Sequence, residues 1–456
     1  MAGLAEIVGF RGELLRPGDA GYDRARRLWN GAIDKRPALI ARCTGADDVR
    51  AGIEHARAAG LPLAVRGGGH NVAGTASCDG GLVLDLSSMK DVRVDPAGGS
   101  AWAQAGLLWG ELDRATQRFG LATTGGIVTH TGVAGLTLGG GIGWLMRRHG
   151  LTCDNLLAAE LVSADGRRLH VSVDAEPELF WGLRGGGGNF GVVTAFRFRL
   201  HPVGPPVLAG PVLYAAEEAG EVLRRYRDWA ADAPDEVSTV VNLRLAPPLP
   251  IIPERLHGRP VATIVCCYAG ADPAAGERLL APVRRLGRPL LDLVAVKPYG
   301  AHQATFDATV PHGLHYHWRS SYLDDLGDGA IDALVSHAWR HRSPWSYTIL
   351  FQLGGAVSRV PEEATAFSGR GAGYALNVNA VAAGGDGYPE QAAWARRTWE
   401  AVRPHGNGVY VNFLDREGDD RVRAAYGPAK YRRLAALKRA WDPDNLFRLN
   451  QNIAPA

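Results

Sequence analysis

The residues best suited to chemistry in this 456-residue chain are the run Arg66-Gly67-Gly68-Gly69-His70-Asn71. The run follows an amphipathic helical pattern closed by Gly60 and then a short apolar strand at residues 61–65. Because glycine adopts backbone angles that other residues avoid, three in a row allow successive N–H groups to face one anion, such as a pyrophosphate. His70 then stands beside whatever carries that phosphate. The run predicts a loop that binds a nucleotide; a glycine-rich surface turn is the alternative.

A second glycine-rich region occupies residues 125–143. Gly132, Gly135 and Gly139 recur every three to four residues, which would leave one face of a helix without side chains. Such a bare face accepts a flat ring or another backbone at short distance. The alternative is tight packing of a helix on a sheet with no ligand.

A third run, at residues 184–191, contains the pattern G-x-G-x-x-G that is typical of dinucleotide-binding βαβ units. In those units the pattern follows a strand and opens a helix. Here it follows a helical pattern and precedes a strand-like stretch, so the Rossmann interpretation is rejected. The run still suits a loop that tightens against a cofactor.

Composition excludes several classes of protein. The formal net charge is +3 with 21% charged residues, so no strong basic field indicates a nucleic-acid partner. Glycine is frequent, at 59 residues, and clusters in the three runs without a fixed period. Five cysteines, an odd number with no framework spacing, favour a reducing compartment. Neither a signal peptide nor a long apolar stretch is evident, so we expect a cytoplasmic protein that does not bind a membrane.

The elements that would position these runs are strands alternating with helices over residues 36–202. Candidate strands lie at residues 61–65, 82–86, 100–105, 158–163, 168–173 and 192–199, and candidate helices at 47–59, 107–119 and 176–184. Beyond Gly204-Pro205-Pro206, longer β patterns with helices predict an α+β region with an antiparallel sheet. Residues 1–35 have a helical tendency, residues 410–413 are strand-like, and residues 430–441 are helical up to the stop at Pro443.

The three glycine runs, in this order, resemble those of the berberine bridge enzyme-like branch of the vanillyl-alcohol oxidase flavoprotein superfamily. The resemblance covers residues 36–202 and resumes at 408–453. There, Leu434-x-x-Leu437-Lys438 and Asp442-Pro443-Asp444-Asn445-x-Phe447-Arg448 are similar to the family's C-terminal signature. The resemblance implies an α+β fold: a PCMH-type FAD-binding domain of two α/β subdomains, plus a substrate domain whose antiparallel sheet is flanked by helices.

The implied divisions of the chain are four. An N-terminal helical segment at residues 1–35 would pack on the FAD-binding domain at 36–204. A substrate-binding domain would follow at 205–407. A berberine-bridge-like segment at 408–456 would return to the FAD-binding domain.

The resemblance also implies the cofactor and its anchor. His70 stands where the family's loop histidine forms an 8α-histidyl bond to FAD, which raises the redox potential of the ring. Many members add a cysteinyl link, but Val128 occupies that position and Cys153 does not fit the motif, so we expect attachment through His70 alone. The positions expected to bind FAD are Arg66, Gly67, Gly68, Gly69, His70, Asn71, Gly126, Thr129, Thr131, Gly132, Gly135, Gly139, Gly140, Gly143, Val193, Tyr410 and Asn412.

Tyr410 is the candidate catalytic residue. Together with Asn412 it is similar to the family's Y-x-N segment. A general base must reach a substrate hydroxyl and needs a pKa lowered by its surroundings. The alternative is that Tyr410 only packs on the flavin or hydrogen-bonds to it. Ile142 stands where family members often carry another tyrosine, which argues against a two-tyrosine mechanism.

The resemblance implies an FAD-linked oxidoreductase that moves a hydride from an alcohol or related group to flavin N5, with O2 as the expected acceptor. The small-molecule substrate would be a sugar, a glycoside or a secondary metabolite. Two alternatives remain open: a dehydrogenase with another acceptor, and a flavin-holding protein with little turnover, which Ile142 and Val128 motivate. We expect no metal and no nucleic acid, and a monomer or a homodimer.

Further polar side chains lie in the region expected to contact substrate. His315 and His317 would share one face of a strand, a spacing that can bind a metal, but no carboxylate or cysteine pattern accompanies them. A polar and aromatic wall is the better interpretation. Candidates for a second wall, with ordinary sheet-surface polarity as the alternative, are Arg370, Tyr374, Asn377 and Asn379.

Overall fold

The computed structural model describes residues 6–456, and its strands form two small sheets, a two-stranded pair and one large sheet. The strands, in chain order, are β1 (Glu13–Leu15), β2 (Leu39–Arg42), β3 (Leu63–Arg66), β4 (Leu82–Asp85), β5 (Val92–Asp95), β6 (Ser100–Gln104), β7 (Leu121–Ala122), β8 (Leu156–Val162), β9 (Arg168–Ser172), β10 (Val192–Arg199), β11 (His201–Pro202), β12 (Pro206–Ala215), β13 (Val237–Leu245), β14 (Pro260–Tyr268), β15 (Leu291–Asp292), β16 (Ala295–Pro298), β17 (His315–Leu323), β18 (Tyr347–Gln352), β19 (Tyr374–Ala382) and β20 (Gly406–Asn407).

Helices occupy most of the connections between these strands. The α-helices of the described chain are α1 (Tyr22–Ala25), α2 (Ala46–Ala59), α3 (Trp109–Thr116), α4 (Val133–Leu138), α5 (Met146–His149), α6 (Pro177–Leu183), α7 (Ala219–Ala231), α8 (Pro273–Leu280), α9 (Tyr299–Gln303), α10 (Asp328–His337), α11 (Ala356–Arg359), α12 (Tyr388–Val402) and α13 (Asp419–Trp441). The strands and helices expected over residues 36–202 are confirmed to within a few residues of their ends.

The first sheet has the order β1-β2-β4-β3, and β4 runs parallel to both β2 and β3. Helix α2 makes the crossover from β2 to β3 and ends at Gly60, whose φ of 62° turns the chain into β3. At the carboxyl ends of the strands, the guanidinium of Arg66 donates to Asp85 at 2.6 Å. This ion pair fixes the point at which the first glycine run leaves the sheet.

The second sheet is antiparallel, with the order β5-β6-β10-β8-β9. A turn at Asp165-Gly166 joins β8 to β9, with Gly166 at a φ of 84°. The third glycine run lies between α6 and β10, which enters the middle of this sheet. The run is therefore held between a helix and a central strand.

The large sheet is antiparallel throughout, in the order β15-β12-β14-β13-β18-β19-β17-β20, with β16 also paired to β12. Apolar residues of α7, α10 and α12 pack on one face, in a core that contains Leu350 and Leu376. Side chains alternate along a strand, so Tyr347, Ile349 and Phe351 lie on the opposite face. That face packs against the N-terminal half of the chain.

The predicted α+β fold, with α/β subdomains and a helix-flanked antiparallel sheet, is confirmed. The expected boundaries after residues 35, 204 and 407 stay predictions. No helix within residues 6–456 is long and apolar enough to cross a membrane.

The C-terminal signature is held by a buried ion pair. Lys438 and Asp442, one helical turn apart at the end of α13, are both fully buried, with 2.6 Å between Nζ and the carboxylate. The Lys438 ammonium also donates to the carbonyls of Asn189 and Phe447. Asp442 accepts from the backbone N–H groups of Leu446 and Phe447. The pair therefore joins the chain's last helix to the third glycine run.

Two expectations about secondary structure are wrong. Of residues 6–35, only Tyr22–Ala25 is α-helical, and Glu13–Leu15 is a strand that pairs with β2; the first five residues of the predicted helical segment lie outside the described residues. The glycines and Pro17 in this segment interrupt any longer helix. Residues 410–413 are not a strand: Val411–Phe413 forms a 3-10 turn, in which the N–H of Phe413 donates to the Tyr410 carbonyl.

Replacing Lys438 with methionine tests the buried pair. We expect the free energy of unfolding to fall by about 3–5 kcal/mol, because the Asp442 carboxylate would stay buried without its cation. Urea denaturation followed by tryptophan fluorescence measures the change. The matched control is Arg225→Met, which breaks an exposed pair of the same spacing with Glu221 and should cost about 0.5 kcal/mol or less. Equal losses in the two variants would contradict the assignment.

Candidate active site

The first glycine run forms a loop whose backbone donors have no protein partner. Gly69 has a φ of 65°, in the left-handed region that favours glycine. Within residues 6–456, no atom accepts a hydrogen bond from the backbone N–H groups of residues 68–71. A row of free N–H groups beside a cavity is a binding site for an anion. The side chain of Arg66 does not contribute, since it is engaged with Asp85 and with the Ala25 carbonyl.

The first and second glycine runs touch through their backbones. A methyl group added at Gly68 would lie 2.5 Å from the N and Cα atoms of Gly132, and one added at Gly132 would lie 2.5 Å from the N atom of Gly68. No side chain fits at either position without moving a main chain. The two loops are therefore fixed relative to each other by the absence of side chains.

These loops border a cavity of about 320 Å³ that continues to the inward face of the large sheet. Twelve of the residues expected at the cofactor line it: Gly67, Gly68, Gly69, His70, Asn71, Gly126, Thr131, Gly132, Gly135, Val193, Tyr410 and Asn412. The five that do not line it are Arg66, Thr129, Gly139, Gly140 and Gly143. Three separate parts of the chain thus meet at one cavity.

The side chain of His70 is held between two other rings. The indole of Trp29 stacks on the imidazole, with ring centres 4.2 Å apart, and Nε2 of His70 lies 3.1 Å from Nδ1 of His130. Burial, and then the neighbouring imidazoles of His130 and His312, hold the pKa of His70 well below its usual value. The ring is therefore neutral at physiological pH, so it keeps a lone pair that can act as a nucleophile.

Some glycines of the second run line the cavity, and others pack against neighbouring parts of the chain. Gly135, in α4, lines the cavity, and no atom lies within 4 Å of a methyl group added there. Gly139 and Gly143 are packed instead, against the Asn412 amide and the Gly125 carbonyl. Thr129 donates through its backbone N–H and its hydroxyl to the carboxylate of Asp307, which joins this run to the segment before β17.

Tyr410 lies under the second glycine run. Its hydroxyl oxygen accepts one hydrogen bond from the Gly141 N–H and one from the Asn412 amide, both at 2.8 Å. Asn412 is oriented by a further bond to the Leu136 carbonyl. Burial raises the pKa of Tyr410 well above its usual value, while the two donors act in the opposite direction. Gly140 is packed against the rings of Phe367 and Tyr410.

The third glycine run meets the chain's end at the cavity. Gly187, Gly188 and Asn189 line it, and the Asn189 amide donates to the carbonyls of Gly186 and Gln451. The G-x-G-x-x-G pattern thus belongs to a loop beside the cavity that leads into a strand, as expected. Phe447 of the C-terminal signature also lines the cavity, and lining residues from the chain's end that the sequence did not single out are Leu449, Asn450 and Gln451.

The positions that depart from the family pattern carry apolar side chains. Val128 and Ile142 both line the cavity and carry no reactive group. Cys153 is buried away from the lining, and burial raises the pKa of its thiol. No cysteine lines the cavity in the part of the chain that the structure describes.

Sequence reasoning missed part of the lining outside the glycine loops. The missed lining residues are Trp29, Val310, Tyr347, Ile349, Phe351 and Phe413. The alternation of Tyr347, Ile349 and Phe351 is the signal that could have identified one face of β18. Asn377 and Asn379 line the cavity as the second-wall interpretation suggested, whereas Arg370 forms a buried pair with Asp154 and Tyr374 packs in the core on the other face of the sheet.

The two histidines considered for metal binding, His315 and His317, contact different partners. His317 Nδ1 lies 2.7 Å from the carboxylate of Asp415, and His315 contacts the ring of Tyr388 edge-on. Neither His315 nor His317 lines the cavity. Within residues 6–456 there is no group of three or more potential ligands that could hold a metal ion.

Comparison with known proteins agrees with this geometry. Residues 37–172 match the model of an FAD binding domain, and residues 409–454 match the berberine and berberine-like model. The (R)-6-hydroxynicotine oxidase of Paenarthrobacter nicotinovorans is 33% identical, over 99% of this chain and 98% of that protein. An FAD-linked oxidoreductase of Dictyostelium discoideum is 32% identical, over 97% of this chain and 95% of that protein.

The fold also matches a solved structure. The crystal structure of 6-hydroxy-D-nicotine oxidase from Arthrobacter nicotinovorans superposes with a TM-score of 0.88 and 31% identity, covering 99% of this chain and all of the other. The first two glycine loops lie within the match to the FAD binding domain, and the segment with Tyr410 lies within the berberine-like match. The chain belongs to the berberine bridge enzyme-like family of FAD-linked oxidoreductases.

Proposed function

We propose that this FAD-linked oxidoreductase oxidises an alcohol of a small molecule and returns the electrons to O2. The observation that carries the proposal is the cavity, into which the three glycine loops, Tyr410 and one face of the large sheet all open. FAD bound there would supply the two-electron acceptor. The alcohol carbon gives up a hydride and its hydroxyl gives up a proton, and O2 is reduced to H2O2. A dehydrogenase with another electron acceptor is the second candidate, and the test below separates the two.

The residues present fit FAD. The free N–H groups of residues 68–71 suit its pyrophosphate, which carries negative charge and needs donors. The bare face at Gly135 and the open space at Gly188 leave room for flat or extended parts of the molecule. Tyr410 and Asn412 provide polar groups in the lining of the same cavity.

Single attachment through His70 is the second part of the proposal. A neutral imidazole keeps the lone pair that bond formation needs, and the lowered pKa of His70 keeps the ring neutral. Trp29 and His130 restrict the orientation of that ring. Val128 provides no thiol for a second link, and Cys153 is outside the cavity.

Tyr410 is proposed as the residue that takes the hydroxyl proton. Both hydrogen bonds to its oxygen stabilise the ionised form, which is the form that acts as a base. Because burial raises the pKa of Tyr410, that form is scarce at neutral pH. Catalysis through Tyr410 would therefore become faster as the pH rises.

Gly135→Ala tests whether the cofactor lies against the bare face of α4. The new methyl group meets no protein atom, and alanine favours a helix by about 1 kcal/mol, so the protein without flavin should fold at least as well. Flavin binding should weaken roughly tenfold or more, because the methyl group takes space that the cofactor needs. Flavin absorbance per protein measures this. Gly300→Ala, equally open but away from the cavity, is the control. Full flavin content in Gly135→Ala would contradict the placement.

His70→Ala tests the covalent link. After acid precipitation, yellow colour should stay with the unmodified protein and go into the supernatant for the variant, and the flavin mass should disappear from the intact-protein spectrum. Cys153→Ala is the control and should keep the covalent flavin. If His70→Ala still carries covalent flavin, another residue forms the bond.

Anaerobic mixing of the purified protein with a panel of alcohols tests the reaction. Loss of flavin absorbance indicates oxidation, and its return in air with H2O2 indicates an oxidase; slow return in air but rapid return with an artificial acceptor indicates a dehydrogenase. Tyr410→Phe should reduce flavin about 10²–10⁴ times more slowly, and it should lose the increase of rate with pH.

The control for Tyr410 is Tyr322→Phe. Tyr322 is equally buried, but its hydroxyl donates to the Ser368 carbonyl and the residue does not line the cavity. Its rate and pH profile should stay close to those of the unmodified enzyme. An unchanged rate and pH profile in Tyr410→Phe would mean that Tyr410 only packs on the flavin or hydrogen-bonds to it and does not take the proton.

A further inference from the structure

The second glycine run is held from one side by the 3-10 turn that follows it, Thr152–Asn155. The N–H of Cys153 donates to the Gly140 carbonyl at 2.8 Å, and the N–H of Thr152 donates to the Gly141 carbonyl at 3.0 Å. The turn therefore fixes two successive carbonyls near the end of the run.

One of these carbonyls belongs to the peptide group that reaches Tyr410. The Gly140 carbonyl and the Gly141 N–H form a single planar unit, and that N–H donates to the Tyr410 oxygen at 2.8 Å. Gly140 has a φ of 125° and Gly141 a φ of 90°, values that favour glycine. Because glycines on both sides of the peptide can adopt other angles, the hydrogen bond from Cys153 to its carbonyl end is needed to fix the direction of its N–H.

The turn itself is anchored by a buried ion pair. The carboxylate of Asp154 accepts from the Leu151 N–H at 2.9 Å and from both terminal nitrogens of Arg370, at 2.6 and 3.0 Å. The Arg370 side chain is 2% exposed and that of Asp154 is 8% exposed. A bidentate bond between a guanidinium and a carboxylate fixes the relative orientation of the two groups, so Arg370 sets the position of the turn.

Arg370 is itself held by several other contacts. Its guanidinium donates to the Thr365 hydroxyl at 2.7 Å and to the Val357 carbonyl at 3.2 Å. The guanidinium carbon lies 5.4 Å from the centre of the Phe367 ring, and this ring packs against Tyr410 with centres 5.9 Å apart. Arg370 therefore acts on the surroundings of Tyr410 by two routes, through the turn and through the Phe367 ring.

Neither route involves direct contact with the reacting groups. Arg370 does not line the cavity, and no hydrogen bond joins it to Tyr410 within residues 6–456. Burial raises the pKa of Tyr410, and the hydrogen bond from Gly141 acts against that increase. If the Gly141 N–H turned away, a buried phenol would keep one donor fewer, and its ionised form would become scarcer.

We propose that Arg370 is a positioning residue for Tyr410. Through Asp154 and the turn, it keeps the Gly141 N–H directed at the phenol oxygen. The proposal rests on the proposed function, because it gives the proposed base a residue that supports it. Part of the reaction rate would then depend on a side chain that does not line the cavity.

Arg370→Lys tests this role in the flavin-loaded enzyme. Lysine keeps a cation beside Asp154 but cannot make the bidentate bond that orients the carboxylate. Anaerobic flavin reduction by the most reactive of benzyl alcohol, cinnamyl alcohol and cellobiose should be about 10 to 100 times slower, since ionised Tyr410 loses a donor. Arg319→Lys is the control and should keep its rate, because Arg319 also pairs with a carboxylate, that of Glu417 at 3.6 Å, and does not line the cavity.

A double-mutant cycle with Tyr410→Phe separates positioning from general damage to the fold. If Arg370 acts through Tyr410, Arg370→Lys should slow the reaction of the unmodified enzyme but have little effect in Tyr410→Phe, which has no phenol to position. Equal losses in the two backgrounds would mean that the ion pair only supports the fold, and they would overturn the proposal.

Fluorine NMR of enzyme labelled with 3-fluorotyrosine tests the surroundings of Tyr410 without turnover. The resonance of Tyr410 is identified by its loss in Tyr410→Phe. Arg370→Lys should shift this resonance, whereas Arg319→Lys should not. A shift in an enzyme that no alcohol reduces, or whose rate is unchanged, would support the positioning and contradict the proposed reaction or base. An unshifted resonance would contradict the positioning itself.

Asp154→Asn provides the same test from the other side of the ion pair. The change keeps the size of the side chain and removes the charge that holds the guanidinium, so the Tyr410 resonance should shift as in Arg370→Lys. Each variant is compared with unmodified protein of the same flavin content, so a variant that binds flavin weakly still gives a result. An unshifted Tyr410 resonance in Asp154→Asn would overturn the proposal.

Discussion

The site depends on one close contact between two backbones, at Gly68 and Gly132. A single methyl group on either residue would lie 2.5 Å from main-chain atoms of the other, so the two loops approach as closely as polypeptides can. This contact places the free N–H groups of residues 68–71 beside α4 and its bare face at Gly135. The glycine content of the chain is therefore a geometric requirement of the cavity, and it does not indicate flexibility.

A second constraint brings distant parts of the chain to the same cavity. Lys438 donates to the Asn189 carbonyl and to Asp442, and Asp442 in turn holds the turn that follows α13. Because both charges are fully buried, neither can exchange its partner for water without a large penalty. Tyr410 lies directly before the 3-10 turn at Val411–Phe413, and its hydroxyl accepts a hydrogen bond from the Gly141 N–H of the second glycine run.

Local signals explain what the sequence could predict. Gly60 ends a helix, consecutive glycines make a loop, and both effects act over a few residues, so the positions of α2, β3 and the first loop follow from the sequence. Trp29 could not be placed in this way, since its stacking on His70 depends on the packing of distant segments, among them the Val310 carbonyl that accepts from its indole. Tyr410 was recognised from a motif, but its hydrogen bond from the Gly141 N–H joins residues 269 apart in sequence, which no local signal predicts.

The electrostatics of the cavity follow from a single cause. Burial lowers the pKa of His70 and raises the pKa of Tyr410 and Tyr347, since in each case it disfavours the charged form. The three side chains are thus neutral together at physiological pH, in a cavity with no charged lining among the described residues. A neutral imidazole can form a bond, whereas a neutral phenol must first lose its proton before it can accept one. The same low polarity that would favour the proposed attachment at His70 would therefore limit the proposed base at Tyr410, and the two hydrogen bonds to the Tyr410 oxygen would partly offset that limit.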